Sequence, residues 1–276
     1  MAIARRVRAG RQQRTATSLV LQGRTVSYGW RVRSDDEQSF RPEPAFAPTA
    51  INAAAARREA VVLAGHLGDR DTVTAGLLAA DGLTRAAALG ALVRLDALTE
   101  RDLIAGLADT DGAVVRRAIE ISAHQLDRTA SIDHRLVQLV TGTDADTAEV
   151  AVWALGERWE ERGAESPGDA LLTMVLDAVE AATGKHDDAL VREAAVAALG
   201  AIGAQRSLPV IIEAASDKAT VRRRAVIALA PFDGPAVDAA LATARNDRDW
   251  QVRQAAEDLS DPDDGDTDGS VTVIGT

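Results

Sequence analysis

Residues 191–200 read VREAAVAALG and residues 221–230 read VRRRAVIALA, so a ten-residue pattern recurs after 30 residues. With the arginine as position zero and a small or apolar residue at position plus three, the pattern occurs seven times. Position zero falls on Arg57, Arg85, Arg116, Ala148, Arg192, Arg222 and Arg253. The intervals between them average about 33 residues, a period typical of solenoids of stacked helix pairs.

Each copy of the pattern is predicted to form the second helix of a pair, which we call helix B. An amphipathic segment precedes every copy but the first and is predicted to form the first helix of the pair, helix A. Shortly before position zero lies an aspartate suited to cap the free backbone N–H groups of helix B. These aspartates are Asp81, Asp111, Asp144, Asp188, Asp217 and Asp249. The sequence therefore predicts an all-α solenoid of six to seven helix pairs over residues 51–260.

The composition agrees with stacked helices and excludes several kinds of site. Alanine, the best helix former, dominates the apolar residues, and only 3% of residues are aromatic. The chain has no cysteine, which excludes disulfides and thiolate metal sites and fits a reducing cytoplasm, where we expect the protein. Because no stretch approaches 18 consecutive apolar residues, we expect no membrane span.

Charge is distributed unevenly along the chain, whose formal net charge is −11. Residues 1–33 contain eight arginines and no acidic residue. We expect residues 1–50 to form an arginine-rich extension, either disordered or a weak hairpin, and residues 261–276 to form a disordered acidic tail. The interval of 44 residues after Ala148 marks an insertion at 157–168, and insertions in solenoids often lie on the binding face.

The signature Asp-x-x-Val-Arg-x-x-Ala-x-x-x-Leu-Gly, with its period near 30, resembles the HEAT-repeat family. It is most similar to the short bacterial and archaeal type also found in phycocyanobilin lyases, and the resemblance covers residues 51–260. The resemblance implies a ladder of hydrogen bonds between the arginines at position zero and the turn aspartates of successive repeats. Its members would be Arg57, Arg85, Arg116, Arg192, Arg222 and Arg253 with Asp81, Asp111, Asp144, Asp188, Asp217 and Asp249. Ala148 interrupts that ladder in the fourth repeat.

A candidate binding groove follows from the geometry of helix B. Position plus one is its most charged position, and position plus five lies one turn further along the same face. The resemblance implies that helix B lines the concave surface of the solenoid. The candidate groove residues are Arg58, Val62, Arg117, Ile121, Trp153, Arg223 and Ile227. Arginine beside exposed apolar and aromatic groups is typical of protein-binding surfaces.

We therefore predict a noncatalytic, monomeric scaffold that binds a partner protein or peptide in this groove, with no cofactor and no metal. Its arginines would meet acidic groups of the partner, and Trp153 would serve as an apolar anchor. Two alternatives stay open: a phycocyanobilin-lyase-like or other HEAT-repeat enzyme, and nucleic-acid binding through the basic residues 1–33. The acidic array itself disfavours nucleic acid.

Enzyme chemistry finds little support in the sequence. The four histidines, His66, His124, His134 and His186, are scattered, and none belongs to a His-Glu pair. HEAT-repeat deoxyhypusine hydroxylases hold iron with such pairs, so the chain departs from that pattern. No phosphate-binding loop, nucleophile elbow or zinc motif occurs, and we predict no catalytic residues.

Overall fold

The computed structural model describes residues 20–21, 24–25, 50–124, 129–142, 144–160 and 168–259. The chain divides into two units, Met1–Ala47 and Pro48–Thr276. In the first unit, two short strands, β1 (Val20–Leu21) and β2 (Arg24–Thr25), form an antiparallel pair. The rest of residues 1–49 and the predicted acidic tail at 261–276 lie outside the described residues, and Ala50, the last residue of the predicted extension, is helical.

The described part of the second unit is an α-solenoid of thirteen α-helices. Its B helices are α1 (Ala50–Leu67), α3 (Gly82–Arg94), α5 (Gly112–Ala123), α7 (Ala145–Trp159), α9 (Ala189–Ile202), α11 (Ala219–Ile227) and α13 (Trp250–Asp258). Its A helices are α2 (Arg70–Gly76), α4 (Glu100–Leu107), α6 (Ala130–Val140), α8 (Ala170–Lys185), α10 (Leu208–Ala214) and α12 (Pro235–Ala244). From α3 onward, each B helix packs on the A helix before it and on the preceding B helix. The predicted all-α solenoid is confirmed, with six complete pairs following α1 among the described residues.

The predicted capping of the B helices is confirmed at five positions. The aspartates at these helix starts each accept a hydrogen bond from a backbone N–H of their own first turn; they are Asp81, Asp111, Asp144, Asp188 and Asp249. Helix α11 differs, because Lys218 occupies its cap position. The carboxylate of Asp217 instead receives the guanidinium of Arg192.

The core of the array is a row of apolar layers. One large cluster of buried side chains extends from Leu89 in α3 to Val237 in α12, and its largest member is Trp159. A smaller cluster lies at each end of the array, one between Val61 and Leu92 and one between Val226 and Ala256. Each layer is therefore built only from neighbouring helices, as expected of a repeat array.

Successive B helices approach each other closely where glycine at position plus eight meets alanine at position plus six of the next repeat. The three such pairs are Gly65–Ala91, Gly156–Ala198 and Gly200–Ala228. A methyl group added to Gly200 would lie 2.7 Å from the Cβ atom and 2.8 Å from the Cα atom of Ala228. These distances are shorter than ordinary van der Waals contact, so only glycine fits this approach without movement of a helix.

Three arginines at position zero join successive repeats. In each, Nε and Nη2 donate to the two carboxylate oxygens of one aspartate at 2.6–2.8 Å; the pairs are Arg85–Asp109, Arg192–Asp217 and Arg222–Asp247. Hydrogen bonds from the guanidinium hold the pKa of all three carboxyl groups below its usual value. A looser pair joins Arg57 to Asp81 at 3.7 Å. A ladder thus connects the repeats toward both ends of the array.

The structure corrects the prediction of which aspartates pair with the ladder arginines. Asp111 and Asp249 turn their carboxylates toward the backbone N–H groups of their own helices, as do Asp144 and Asp188. Residues 109–111 and 247–249 each have the pattern Asp-x-Asp. In both segments the arginine of the preceding repeat pairs with the earlier aspartate, Asp109 or Asp247. One carboxylate pairs with the neighbouring repeat while the other caps the helix.

The ladder is also interrupted in the middle of the array. Arg116 is exposed and makes no hydrogen bond to an aspartate within the described residues, and Ala148 carries no charge. The ion pairs on either side of α7 are thus missing from the described part of the chain.

In the last repeat, Arg253 donates to the backbone carbonyls of Asp247 and Arg248.

A buried ion pair lies at this interruption. Nε of Arg158, near the end of α7, donates to Asp133 of α6 at 2.6 Å, and Nη1 donates to the carbonyl of Ser122 in α5 at 2.8 Å. Both charged side chains are fully buried, with 0% exposure. One arginine therefore connects three helices at the point where the ladder stops.

We expect Gly200→Ala to destabilise the array although alanine is the better helix former by about 1 kcal/mol. The added methyl would overlap Ala228, and overpacking typically costs about 1–3 kcal/mol. The matched control is Gly184→Ala in α8, where nothing lies within 4 Å of the added methyl. Urea denaturation should show lower stability for the first variant and unchanged or higher stability for the second. Equal stabilisation of both would contradict the close approach.

We expect Asp133→Ala to lower the free energy of unfolding by about 3–5 kcal/mol, because it leaves a buried guanidinium without its carboxylate. Arg158→Met should destabilise for the reciprocal reason. The double variant Asp133→Ala/Arg158→Met should cost clearly less than the sum of these two single changes, since it removes both charges together. Additive losses in the same denaturation experiment would show that the two side chains act independently.

Candidate binding groove

Trp153 is a large aromatic side chain on the surface of the B helices. It lies in the middle of α7 and is 38% exposed, whereas Trp159 in the same helix is 1% exposed. The ring of His124, which ends α5, meets the Trp153 ring edge-on, with 6.0 Å between centroids and an interplanar angle of 75°. His124 holds position plus eight of its repeat, where three other repeats have glycine. An aromatic contact thus replaces the small-residue contact at this interface.

A surface depression lies on one side of Trp153, between α5 and α7. Its volume is about 610 Å³, and its walls include Val93, Arg117, Ile121, His124 and Trp153. We call it the α5–α7 depression. Nη1 of Arg117 lies 3.0 Å from the carboxylate of Glu120, which also lines the depression. The guanidinium is thus partly neutralised from its own helix.

A second depression lies on the other side of the same indole, between α7 and α9, and we call it the α7–α9 depression. It has a volume of about 530 Å³ and a floor of small residues: Gly156, Ala194, Ala197, Ala198 and Ala201. The rim carries three carboxylates, those of Glu149, Glu157 and Glu193, and one guanidinium, that of Arg224. Every residue that lines either depression belongs to a B helix or to its C-cap. Trp153 therefore forms a ridge between two hollows on one face of the array.

The structure brings together three of the predicted groove residues. Arg117, Ile121 and Trp153 all line the α5–α7 depression. Ile121 is only 7% exposed, so it is part of the floor, not of the exposed stripe that its position predicted. The large side chains of His124 and Trp153 line the same depression beside it.

The other four predicted residues lie elsewhere on the array. Arg58 and Val62 are in α1, and Arg223 and Ile227 are in α11. Both apolar side chains and Arg223 are exposed, but none of the four lines the two depressions. These residues remain candidates for contacts at the ends of a longer ligand.

Two glutamates beside Trp153 were missed by the sequence interpretation. Glu149 lies four residues before Trp153 and Glu157 four residues after it, so all three share one face of α7. Glu149 occupies position plus one, where the arginines of other repeats predicted a basic stripe.

The charge around Trp153 is negative, contrary to the arginine-lined groove that was predicted. Arg224 lies 3.6 Å from Glu193 and Arg117 lies 3.0 Å from Glu120, so both cations have a partner. Glu149 and Glu157 make no ion pair within the described residues. Their two carboxylates face the groove without a counterion from the described chain.

The structure gives no sign of a metal site or of a membrane span in its described part. No group of three histidine, aspartate or glutamate side chains there is arranged to hold a metal ion. None of the helices so described is long and apolar enough to cross a membrane.

Comparison with known proteins gives a family and several similar folds. The HEAT-repeat family matches residues 132–230 and again residues 176–260. An engineered protein of known structure is 22% identical, with a TM-score of 0.47 over 69% of this chain and 94% of that one. Escherichia coli YibA is 16% identical, with a TM-score of 0.49 over 67% of each chain. A designed armadillo repeat protein, solved with the peptide (KR)4, is 16% identical, with a TM-score of 0.47 over 78% of this chain and 94% of that one.

No curated protein matches the chain by sequence. The family matches begin within α6 and extend past the end of α13, and the helix pairs before them repeat the same A–B arrangement. The predicted resemblance to the HEAT-repeat family is therefore confirmed over residues 132–260.

Proposed function

We propose that the chain is a noncatalytic scaffold that binds a partner protein or peptide on its B-helix face, at the ridge formed by Trp153. The observation that carries this proposal is the partly exposed indole between two depressions. Tryptophan is among the residues most enriched at interface hot spots, where it supplies large contact area with little loss of conformational freedom. In this proposal the scaffold is a cytoplasmic monomer that needs no cofactor.

The replacement of a small-residue contact by the Trp153–His124 pair supports a role in binding. Close packing of B helices uses glycine on alanine at three other interfaces, so an indole on this surface is not needed to form the stack. The indole instead creates a step between the α5–α7 and α7–α9 depressions. A step of this kind gives a ligand two hollows and a flat apolar surface to contact.

The surrounding helices hold this surface in place before a partner arrives. Arg158 fastens the end of α7 to both α5 and α6 through buried hydrogen bonds. Gly156, one turn before that end, packs against Ala198 of α9. A preformed surface loses less conformational entropy on binding, so more of the contact energy contributes to affinity.

We expect Trp153→Ala to change stability far less than Trp159→Ala. Removal of the buried Trp159 side chain should lower the free energy of unfolding by about 3–5 kcal/mol, because it empties a core site. Trp153 is partly exposed in the same helix, so its removal should cost about 1 kcal/mol or less. Urea denaturation of the two variants measures the difference. Equal losses would place Trp153 in the core and remove it from the proposed site.

We expect the same Trp153→Ala variant to lose capture of a partner from a lysate of the native cell. The matched control is Trp250→Ala, which removes an indole that is 64% exposed on the last B helix, α13, and lines neither depression. Affinity capture followed by mass spectrometry should show proteins retained by the wild-type chain and the control but lost with Trp153→Ala. Identical capture by all three chains would rule out the ridge as the binding site.

A further inference from the structure

We infer that the ridge takes a cationic side chain, so that the partner is an extended peptide segment rich in arginine or lysine. This inference rests on the proposed function and specifies the chemistry of its partner. The observation behind it is the sequence of groups along one face of α7: a carboxylate at Glu149, an indole at Trp153 and a carboxylate at Glu157.

The spacing of these three groups suits one cation. Residues four apart on a helix have Cβ atoms about 5–6 Å from each other, so a carboxylate lies one turn away on each side of the indole. A guanidinium or ammonium is attracted to the face of an indole when it lies within about 6 Å of the ring centre. A cation there would also be within reach of both glutamate side chains, which are long enough to swing toward it.

The charges of the neighbouring helices favour the same ligand. Glu193 of α9 adds a third carboxylate to the rim, and its partner Arg224 lies at a distance of 3.6 Å with 39% of its side chain exposed. On the α5 side, the charge of Arg117 is offset by Glu120. With Glu149 and Glu157 unpaired in the described structure, the centre of the groove carries a net negative charge.

An acidic partner would meet unfavourable charges at this position. Its carboxylates or phosphates would face Glu149 and Glu157, while the predicted arginine contacts Arg58 and Arg223 lie on α1 and α11, away from the ridge. A purely apolar segment would have to cover two glutamates without compensating them, which costs desolvation energy. A segment with cationic side chains compensates them and uses the indole as well.

Arginine suits the site better than lysine. Its planar guanidinium can stack on the indole while its N–H groups donate to a carboxylate in the plane, whereas an ammonium acts as a point charge. The small-residue floor of the α7–α9 depression, formed by Gly156 and alanines of α9, leaves room for the aliphatic stem of that side chain beside the ring.

The test uses the full chain and a fluorescently labelled hexaarginine peptide, with labelled hexaglutamate for comparison, in anisotropy titrations at 0.15 M salt. The variant Glu149→Gln/Glu157→Gln removes the two carboxylates without changing side-chain size. The control variant Glu213→Gln/Asp238→Asn removes the same charge from two exposed residues on the A helices α10 and α12. Circular dichroism establishes that each variant is folded.

We expect hexaarginine to bind the wild-type chain, and the groove variant to bind it about fivefold or more weakly, the combined scale of exposed ion-pair and cation–π contributions. Trp153→Ala should weaken binding by a similar factor, the control variant should stay within about twofold of the wild type, and hexaglutamate should not bind. Hexalysine should bind more weakly than hexaarginine.

Two results would overturn the inference. An equal loss with the control variant would show that the peptide only follows the overall negative charge of the chain. Absence of hexaarginine binding, or binding unaffected by Glu149→Gln/Glu157→Gln, would show that the ridge does not recognise cations. If Trp153→Ala still abolished capture of the cellular partner, the scaffold proposal would stand and only the chemistry assigned to the partner would fail. If instead hexaarginine binding depended on the groove while cellular capture did not, the scaffold proposal would fail.

Discussion

The close approach of successive B helices is the constraint on which the rest of this array depends. At three interfaces glycine meets alanine closely, and at two of them, Gly65 and Gly200, an added methyl would collide with the neighbouring helix. An alanine-rich, aromatic-poor sequence satisfies this requirement, and it sets both the stacking of the layers and the shallow floor beside Trp153. Where His124 takes the place of glycine, it forms an aromatic pair with Trp153 at the interface, and an indole is partly exposed on the surface.

Charged side chains fasten the layers in two different ways. Toward the ends, arginines reach across to the aspartates of the next repeat and are partly open to water. In the middle, Arg158 and Asp133 are entirely buried and connect the helices around α7. Burying an ion pair completely incurs a desolvation cost, and the ladder pairs, whose side chains stay 6–22% exposed, avoid part of it. The ion pair with the highest desolvation cost, Arg158–Asp133, therefore lies beside the surface that we propose for binding.

Periodicity in the sequence was sufficient to predict the helices, their pairing and most of their caps, because these depend on local spacing and on short-range hydrogen bonds. The partners of the ladder arginines were harder to predict. Asp109 and Asp111 are the same residue type two positions apart, and they differ only in where the carboxylate points. The pairing of Arg158 with Asp133 depends on how two helices face each other, which no spacing within one helix reveals. The same limit applies to the charge of the groove: an arginine such as Arg117 suggests a positive surface until its neighbour Glu120 is placed beside it.

The division of the apolar core into one long central cluster and two small terminal clusters has a consequence for exchange with solvent. In a linear stack, the terminal helices open without disrupting the layers behind them, so slow-exchanging backbone amides should concentrate between α3 and α12. Helix α7 lies near the centre of that interval, protected from fraying on both sides. The surface around Trp153 can consequently persist in molecules whose first and last helices are already open.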